Sequence, residues 1–263
     1  MKQKLIAAIT LDLEPDHAGY APESYGAWHE RKIKTLLALL KKHRAVLSIF
    51  VVTKTLKKRE NIVKLFQEYG AEFYLHSHSH NIKSPDSLQE IRKGKEEFIN
   101  FFKKKPSGYR APGGLISEKG LINLKRQEFV FDASIIPSFW PKASYFFRPN
   151  EPFKDKSGIL EIPFSTISPL RFVVSLSWIK LFGWSFYKML FKMFPFPNPL
   201  IFSFHLHDLY KVSAFKKLPF NWRLKYIRNQ ERGIDLFEDF LVYLKERGYK
   251  FTTIEQVANE YLG

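Results

Sequence analysis

Three of the eight histidines, His76, His78 and His80, stand within five residues, directly after an apolar run that ends at Leu75. His76 and His80 are four apart, so a helical turn starting there puts both imidazoles on one face. That is a common way for a short segment to offer two nitrogens to one metal ion. A polar loop with its histidines in water explains a single such residue better than it explains this cluster. Carboxylates come from the N-terminal end, where Asp12, Glu14 and Asp16 follow the apolar run Leu5 to Leu13. Acids this close repel one another, and a nearby cation would account for them; capping acids in a Glu-Pro-Asp turn are the plainer alternative. Later groups join the set: Arg110 in Gly108-Tyr109-Arg110-Ala111-Pro112-Gly113-Gly114, Asp132 in Phe129 to Ser134, and the pair His205 and His207. Two histidines and a carboxylate on one divalent ion leave positions open for water and substrate. The ion then lowers the pKa of that water and polarises a carbonyl. A free carboxylate takes the proton, and a late histidine protonates the leaving amine. The chemistry is metal-assisted hydrolysis of an amide or ester.

These residues need elements that end where they stand. Leu5 to Leu13, Ala45 to Thr53 and Glu72 to Leu75 read as buried strands, with helices over Trp28 to Arg44 and Lys57 to Tyr69 between them. Asp86 to Lys105 reads as a basic helix stopped by Pro106, and Leu121 to Arg126 as another helix. Phe129 to Ser134, Gly158 to Phe164 and Leu200 to Leu206 are further strands, and in the last of these His205 and His207 face the same side. A helix over Glu231 to Arg247, a strand over Tyr249 to Thr253 and a short terminal helix complete the chain. Strand and helix alternating at this pace predict parallel βαβ units, whose functional groups gather at the C-terminal strand ends.

The 263 residues suit one α/β barrel, and no Gly-, Ser- or Pro-rich stretch, repeat or low-complexity segment divides them. A single domain over 1–263 is therefore expected. Cysteine is absent, which excludes a disulfide framework and any thiolate ligand or nucleophile. No Gly-rich phosphate loop follows the first strand and no G-x-S-x-G elbow occurs, so nucleotide binding and serine hydrolysis lack support. The N-terminal apolar run is too short for a signal sequence and meets acids at once, which leads to the expectation of a cytoplasmic protein.

Lys and Arg exceed Asp and Glu by 42 − 26 = 16, a balance that favours anionic partners or, more plainly, a solvated lysine-rich surface. Between Ile162 and His207 there is no acid, while Arg171, Lys180, Lys188 and Lys192 stand among twelve Phe, Trp and Tyr residues. Within the segment 167–199, Phe182, Phe186, Leu190 and Met193 recur at helical spacing. A membrane-facing amphipathic element and a helix packed on the barrel are equally good readings. Nucleic acid is disfavoured, since no RNA- or DNA-binding motif accompanies the aromatics.

Taken in order, Thr10-Leu11-Asp12-Leu13-Glu14, His76-Ser77-x-x-His80, Arg110-x-Pro112, Asp132-x-Ser134 and the late histidine resemble the motifs of the polysaccharide deacetylase family, the NodB homology domain or carbohydrate esterase family 4. They span about residues 5 to 210, and H-S-x-x-H is the most specific of them. The resemblance implies an irregular (β/α) barrel of about seven or eight strands, α/β in class, that removes an N-acyl group, acetyl first, from an amino sugar. Carried over motif by motif, it implies Asp12 as base, His76 and His80 as metal ligands, Arg110 as the residue orienting the base, and the Gly113 N–H as an oxyanion donor. It also implies a late histidine as acid, with Asp132 tuning it. Three departures stand out. Leu13 separates Asp12 from Glu14 where many members have adjacent acids, which makes Glu14 the expected ligand and Asp16 its reserve. Gly113-Gly114 replaces an aromatic residue. The acid is either His205, the better fit by distance along its strand, or His207, which matches a Leu-His-Asp pattern. Gly113, Gly114, Tyr109 and Trp140 are the substrate-binding candidates. One divalent ion is implied, zinc first, with cobalt, nickel or manganese as alternatives. A cytoplasmic location, the positive charge and the segment 167–199 suggest a glycolipid substrate and peripheral contact with an anionic inner membrane face. The alternatives are an amidase of a small soluble metabolite or chitooligosaccharide, and an inactive basic membrane-surface binding protein.

Overall fold

In the computed structural model, which describes residues 4–17 and 19–263, everything is arranged about β1 (Ile6–Leu13), whose eight residues are all buried. A strand with both faces covered needs apolar side chains on both, and this run supplies them. β1 pairs in parallel with β2 (Ser48–Val51) and β10 (Leu200–His205), and its first residues also pair with β11 (Lys250–Thr252). The sheet continues through β3 (Glu72–Leu75), β4 (Gly108–Tyr109), β5 (Phe131–Asp132) and β7 (Leu160–Glu161). All of these are parallel, and β6 (Phe153–Lys154) adds one antiparallel edge. Eight parallel strands in a curled sheet form the irregular barrel that the motifs implied.

The irregularity has a physical origin. Phe129 to Ser134 and Gly158 to Phe164 read as strands of ordinary length, yet each keeps only two ladder residues. Buried carboxylates take over the hydrogen bonding: Asp132 accepts from Ser134 N at 3.2 Å and Glu161 accepts from Ile135 N at 2.8 Å. Closure toward β10 is equally sparse. Ser165 N donates to Ile201 O at 3.2 Å, and Ile201 N donates to Ser165 Oγ at 2.8 Å.

Outside the barrel lie α1 (Glu30–His43), α2 (Glu60–Tyr69), α3 (Leu88–Phe102) and α4 (Glu118–Arg126), then α5 (Leu176–Phe182) and α6 (Trp184–Met193) after a β8–β9 hairpin (Thr166–Ile167, Phe172–Val173). The turn α7 (Leu206–Leu209) leads through α8 (Phe220–Ile227) to α9 (Gly233–Glu246), and α10 (Ile254–Leu262) ends the chain. No described helix is long and apolar enough to cross a membrane.

Side-chain alternation sorts the interior. The odd positions Ala7, Ile9, Leu11 and Leu13 join the core beneath the helices. Ile6 and Ala8 point inward and meet Phe50, Tyr74, Phe131, Ile201 and the α10 residues Ile254, Val257 and Ala258, which plug that end. Further along the same inward face come Thr10, Asp12 and then Glu14. The barrel is thus apolar at the strand N-termini and polar at the C-termini.

The segment 167–199 is mostly core. Leu176, Ile179, Tyr187, Leu190 and Phe191 are buried against the barrel helices, and Trp178, Phe182, Trp184 and Phe186 pack on them. Large exposed apolar side chains there are Leu170, Met189 and Met193. Of the two readings, helix-on-barrel packing accounts for the aromatic repeat.

α9 packs close to the turn α7 through Gly233. A Cβ there would lie 2.2 Å from the Asp208 carbonyl oxygen and 2.7 Å from that of Leu209. Gly233→Ala therefore forces α9 away from α7 and is expected to cost on the order of 2 kcal/mol, read as a lowered urea midpoint at unchanged slope.

Candidate active site

At the polar end of the barrel, a cavity of about 310 Å³ is lined by Asp12, Glu14, His76, His80, Arg110, Gly113, Gly114, Trp140, His205 and His207, among others. Its volume is at the lower end of the range for small-molecule sites.

Glu14 and the β3 histidines form the first cluster. His80 Nε2 lies 2.5 Å and His76 Nε2 3.2 Å from Glu14 Oε2, so three ligand atoms converge on one point. They do not meet through a helical turn. Residues 76–80 form a loop in which Ser77 and His80 both have a φ of 60°, folding the chain back within four residues. The third histidine, His78, turns away to Thr53 Oγ1 at 3.1 Å. Asp16, the reserve ligand, is not in this cluster. The strand ends at Leu13, and the Asp16 carboxylate accepts from Ala27 N and Ser24 Oγ instead, tying residues 14–17 to residues 24–28. Burial pushes it up to about 6.

The cluster fits a divalent cation on its donor chemistry. His76 Nδ1 is 2.8 Å from the Arg110 carbonyl oxygen, which can only accept, so the ring proton sits on Nδ1 and Nε2 presents a lone pair. That lone pair faces a carboxylate oxygen that is also an acceptor. Two acceptors aimed at each other require a positive charge between them or on the ring. Burial opposes ionisation of Glu14, but His80, His76 and His205 outweigh it and hold the carboxyl well below its usual range.

Asp12 is kept apart from this cluster. Arg110 Nη1 donates to Asp12 Oδ1 at 2.6 Å and to Thr10 Oγ1 at 2.9 Å, and Arg110 Nε donates to Ala133 O at 2.9 Å. The guanidinium lies between the rings of Phe50 and Phe164, 4.0 and 4.5 Å from their centroids. One Asp12 oxygen is therefore fixed and the other, Oδ2, looks toward His205 Nε2 at 3.8 Å.

His205 and His207 part company in the structure. The strand stops at His205, and His207 sits in the helical turn α7. His205 Nδ1 bonds Asp208 Oδ2 at 2.9 Å, leaving Nε2 facing Asp12 and also Glu14 Oε1 at 3.9 Å. Burial lowers the His205 pKa, but the Asp208 hydrogen bond and the charges of Glu14, Asp208 and Asp12 carry it up to about 9. His207 is buried, accepts from His17 N at 3.3 Å, stacks on His205 and packs at a tilt against the His17 ring. Burial and the neighbouring rings hold it well below the usual value, so it stays neutral.

Two expected site residues lie elsewhere. Asp132 does not reach His205: it bonds Ser134 Oγ at 2.7 Å, and burial raises its pKa while its Ser134 and Glu161 hydrogen bonds and Arg110 oppose the rise. Burial and the charge of Asp132 raise Glu161 much further, so the proton of that pair sits on Glu161. The partner of His205 is Asp208, which also accepts from Ser177 Oγ and from the His205 backbone N–H. Its signal in the sequence was only the i, i+3 spacing. Tyr109 is fully buried, with its hydroxyl donating to Pro85 O at 2.5 Å, and belongs to the core under α3 and α4. Trp140, Gly113 and Gly114 do line the cavity. Gly114 N–H is taken by Ala111 O at 3.0 Å, whereas Gly113 N–H meets no backbone carbonyl among the described residues. Sequence reasoning passed over His17, Trp178, Trp222, Lys225 and Tyr226, which also line the cavity but carry no motif.

The Asp208–His205 pair makes stability depend on pH. His205 titrates near 9 in the fold against 6.5 for an ordinary histidine, so its contribution is full below about pH 6.5 and disappears as pH rises through about 9. In metal-free protein the loss is expected to be on the order of 2–3 kcal/mol. Asp208→Asn should flatten denaturation midpoints over that window; an unchanged slope would show that Asp208 does not hold the charge.

The family described as polysaccharide deacetylase matches residues 4–130. A Mycobacterium smegmatis protein described as a polysaccharide deacetylase has a TM-score of 0.63 at 12% identity, over 99% of this chain and 91% of that one. Peptidoglycan deacetylase PdaC from Bacillus subtilis has a TM-score of 0.55 at 15% identity, over 98% and 91%. A family-4 carbohydrate esterase pseudoenzyme from Bacillus anthracis also has a TM-score of 0.55, at 13% identity, over 98% and 66%. No curated protein matches. Identities this low speak to fold, and the pseudoenzyme shows that the fold can stand without the activity. With its matching profile over residues 4–130 and its barrel, carrying the motif residues at the strand ends, this chain is similar to the polysaccharide deacetylase family in sequence pattern and in fold.

Proposed function

We propose that this protein is a divalent-metal-dependent hydrolase that removes an N-acyl group, acetyl first, from an amino sugar. The observation that carries this reading is the separation of two carboxylates two residues apart. Glu14 is engaged by His76 and His80, Asp12 is engaged by Arg110, and His205 stands 3.8 and 3.9 Å from the two. A carboxylate in a two-histidine cluster suits a ligand, and one held by a guanidinium suits a base.

Glu14, His76 and His80 would hold the ion, with zinc favoured by this donor set. When bound, the ion supplies Lewis-acid polarisation of the acyl carbonyl and an acidified water. Asp12 takes a proton at Oδ2, because Arg110 occupies Oδ1 and fixes the plane of the carboxylate. His205, cationic through Asp208, presents an Nε2 proton to the leaving nitrogen. Gly113 N–H offers a donor for the developing negative charge on the acyl oxygen. Neutral, buried His207 cannot supply that proton and instead backs the His205 ring.

Glu14, His76 and His80 predict metal content. About one equivalent of zinc is expected in the parent, with His80→Ala losing most of it. Asp12→Asn is expected to keep the metal and lose on the order of 10²–10⁴ in kcat on an N-acetylated sugar. A protein that takes up no ion after zinc is added back would favour the inactive-scaffold alternative.

We further read the substrate as a glycolipid met at the cytosolic membrane face. The exposed aromatic residues stand at the cavity mouth and not along segment 167–199, which is mostly core. Trp140 and Trp222 meet there at 5.1 Å. Phe139 beside Trp140, Phe220 near Trp222, and Phe147 expose 59%, 74% and 83% of their surface, among basic residues such as Lys142, Arg148 and Arg223. Exposed apolar tips on segments that also carry basic residues suit an anionic lipid surface. Phe147→Asp with Phe220→Asp should abolish pelleting with vesicles containing anionic phospholipid. Pelleting unchanged by the double substitution, or absent in the parent, would favour a small soluble substrate.

A further inference from the structure

One wall of the cavity takes no part in the hydrolysis. Lys225 of α8 lines the cavity along with Glu14, His76, His80 and His205. Its ammonium lies 4.7 Å from the Trp178 ring centroid, 5.3 Å from Trp222 and 5.6 Å from Tyr226, so three aromatic rings fix where the charge sits. Among the described residues it donates to no protein acceptor and pairs with no carboxylate. Asp208 is the one acid that acts on it, and Asp208 is already committed to His205 and Ser177. Lys180 is fully buried with Nζ unpartnered; burial lowers its own pKa, and what charge it carries repels Lys225. Of the other cations lining the cavity, Arg110 is engaged by Asp12 through Nη1, with Nη2 meeting no protein acceptor among the described residues, and His205 is engaged by Asp208. The remainder of the wall is largely aromatic and aliphatic, including Tyr20, Trp140, Phe164 and Leu218. Burial lowers Lys225 to about 8, which still leaves the ammonium mostly charged at neutral pH.

A cation held on an aromatic wall without a hydrogen-bond acceptor of its own is costly unless an anion meets it. We propose that Lys225 anchors a negatively charged substituent, a phosphate or a carboxylate, on the amino sugar, so that the preferred substrates are anionic N-acyl sugars rather than neutral chitooligosaccharides. The substrate half of this statement rests on the deacetylase reading above; the anion site does not.

The test compares N-acetylglucosamine 1-phosphate, N-acetylmuramic acid and neutral chitobiose on zinc-loaded parent, Lys225→Met and Lys225→Arg. Binding is followed by quenching of Trp178 and Trp222, and turnover by amine release. Parent is expected to bind at least one anionic sugar at least tenfold more tightly than the neutral one, with the difference appearing in KM rather than kcat. Lys225→Met should erase that preference and Lys225→Arg should retain most of it. The phosphate and carboxylate arms identify which anion is recognised. Equal affinity of the parent for charged and neutral sugars, or a preference that survives Lys225→Met, would overturn the proposal and leave Lys225 as a cation resting on its rings. Should no sugar be turned over, the deacetylase reading fails, and the binding comparison still decides the anion site. Inorganic phosphate as competitor is expected to displace the anionic sugar from parent, and failure to compete counts against the site.

Discussion

The burial of one guanidinium underlies both halves of the site. Arg110 reaches from the end of β4 into the barrel, where an isolated charge would be prohibitively expensive. Phe50 and Phe164 cover its faces, Asp12, Thr10 and Ala133 bond its Nε and Nη1, and Nη2 meets no protein acceptor among the described residues. The same residue gives its backbone carbonyl to His76 Nδ1. A single residue therefore sets which Asp12 oxygen is free and which His76 nitrogen bears the lone pair. Truncating it would leave Asp12 buried and unpaired, so the cost to stability and the loss of chemistry would come from the same vacancy.

The barrel adds a gradient of polarity along its axis. β1 places Ile6 and Ala8 over the α10 plug and Asp12 and Glu14 at the opposite mouth, all on one face because strand side chains alternate. The mouth then holds three carboxylates in a small volume, each with its own partner: Asp12 with Arg110, Glu14 with His76 and His80, and Asp208 with His205. Keeping each acid with its own partner allows neighbouring carboxylates to remain ionised, with different surroundings and different chemistry. Asp132 and Glu161 lie one layer further round the barrel without such partners. Glu161 carries the proton of the pair, and both stitch the short strands together.

The aromatic content is divided in a similar way. Tyr187, Phe191 and their neighbours in α5 and α6 close the core between the barrel and α9, whereas Trp178, Trp222 and Tyr226 turn inward and hold Lys225 over the cavity. Aromatic residues that look uniform along the chain thus serve packing in one place and recognition in another.

Much of this was determined by the sequence alone. The alternation of apolar runs with amphipathic segments dictates a parallel α/β barrel, because strands buried on both faces must be apolar throughout. The order of Asp12, Glu14, His76, His80, Arg110 and His205 at strand ends places them at one mouth. What the tertiary structure decided depends on contacts between distant segments. Local spacing suggested a helical turn at His76 to His80, but two left-handed residues make the bend. Strand alternation put His205 and His207 side by side, until the chain turned into α7 and buried one of them. Asp132 has the right charge for a histidine partner but points into the layer behind, while Asp208 stands within bonding distance. Tyr109 and Asp16 were likewise taken into packing and loop hydrogen bonds. Lys225 had no motif at all, since only the meeting of α5, α8 and the barrel mouth gives an ordinary lysine three aromatic rings and no acid of its own.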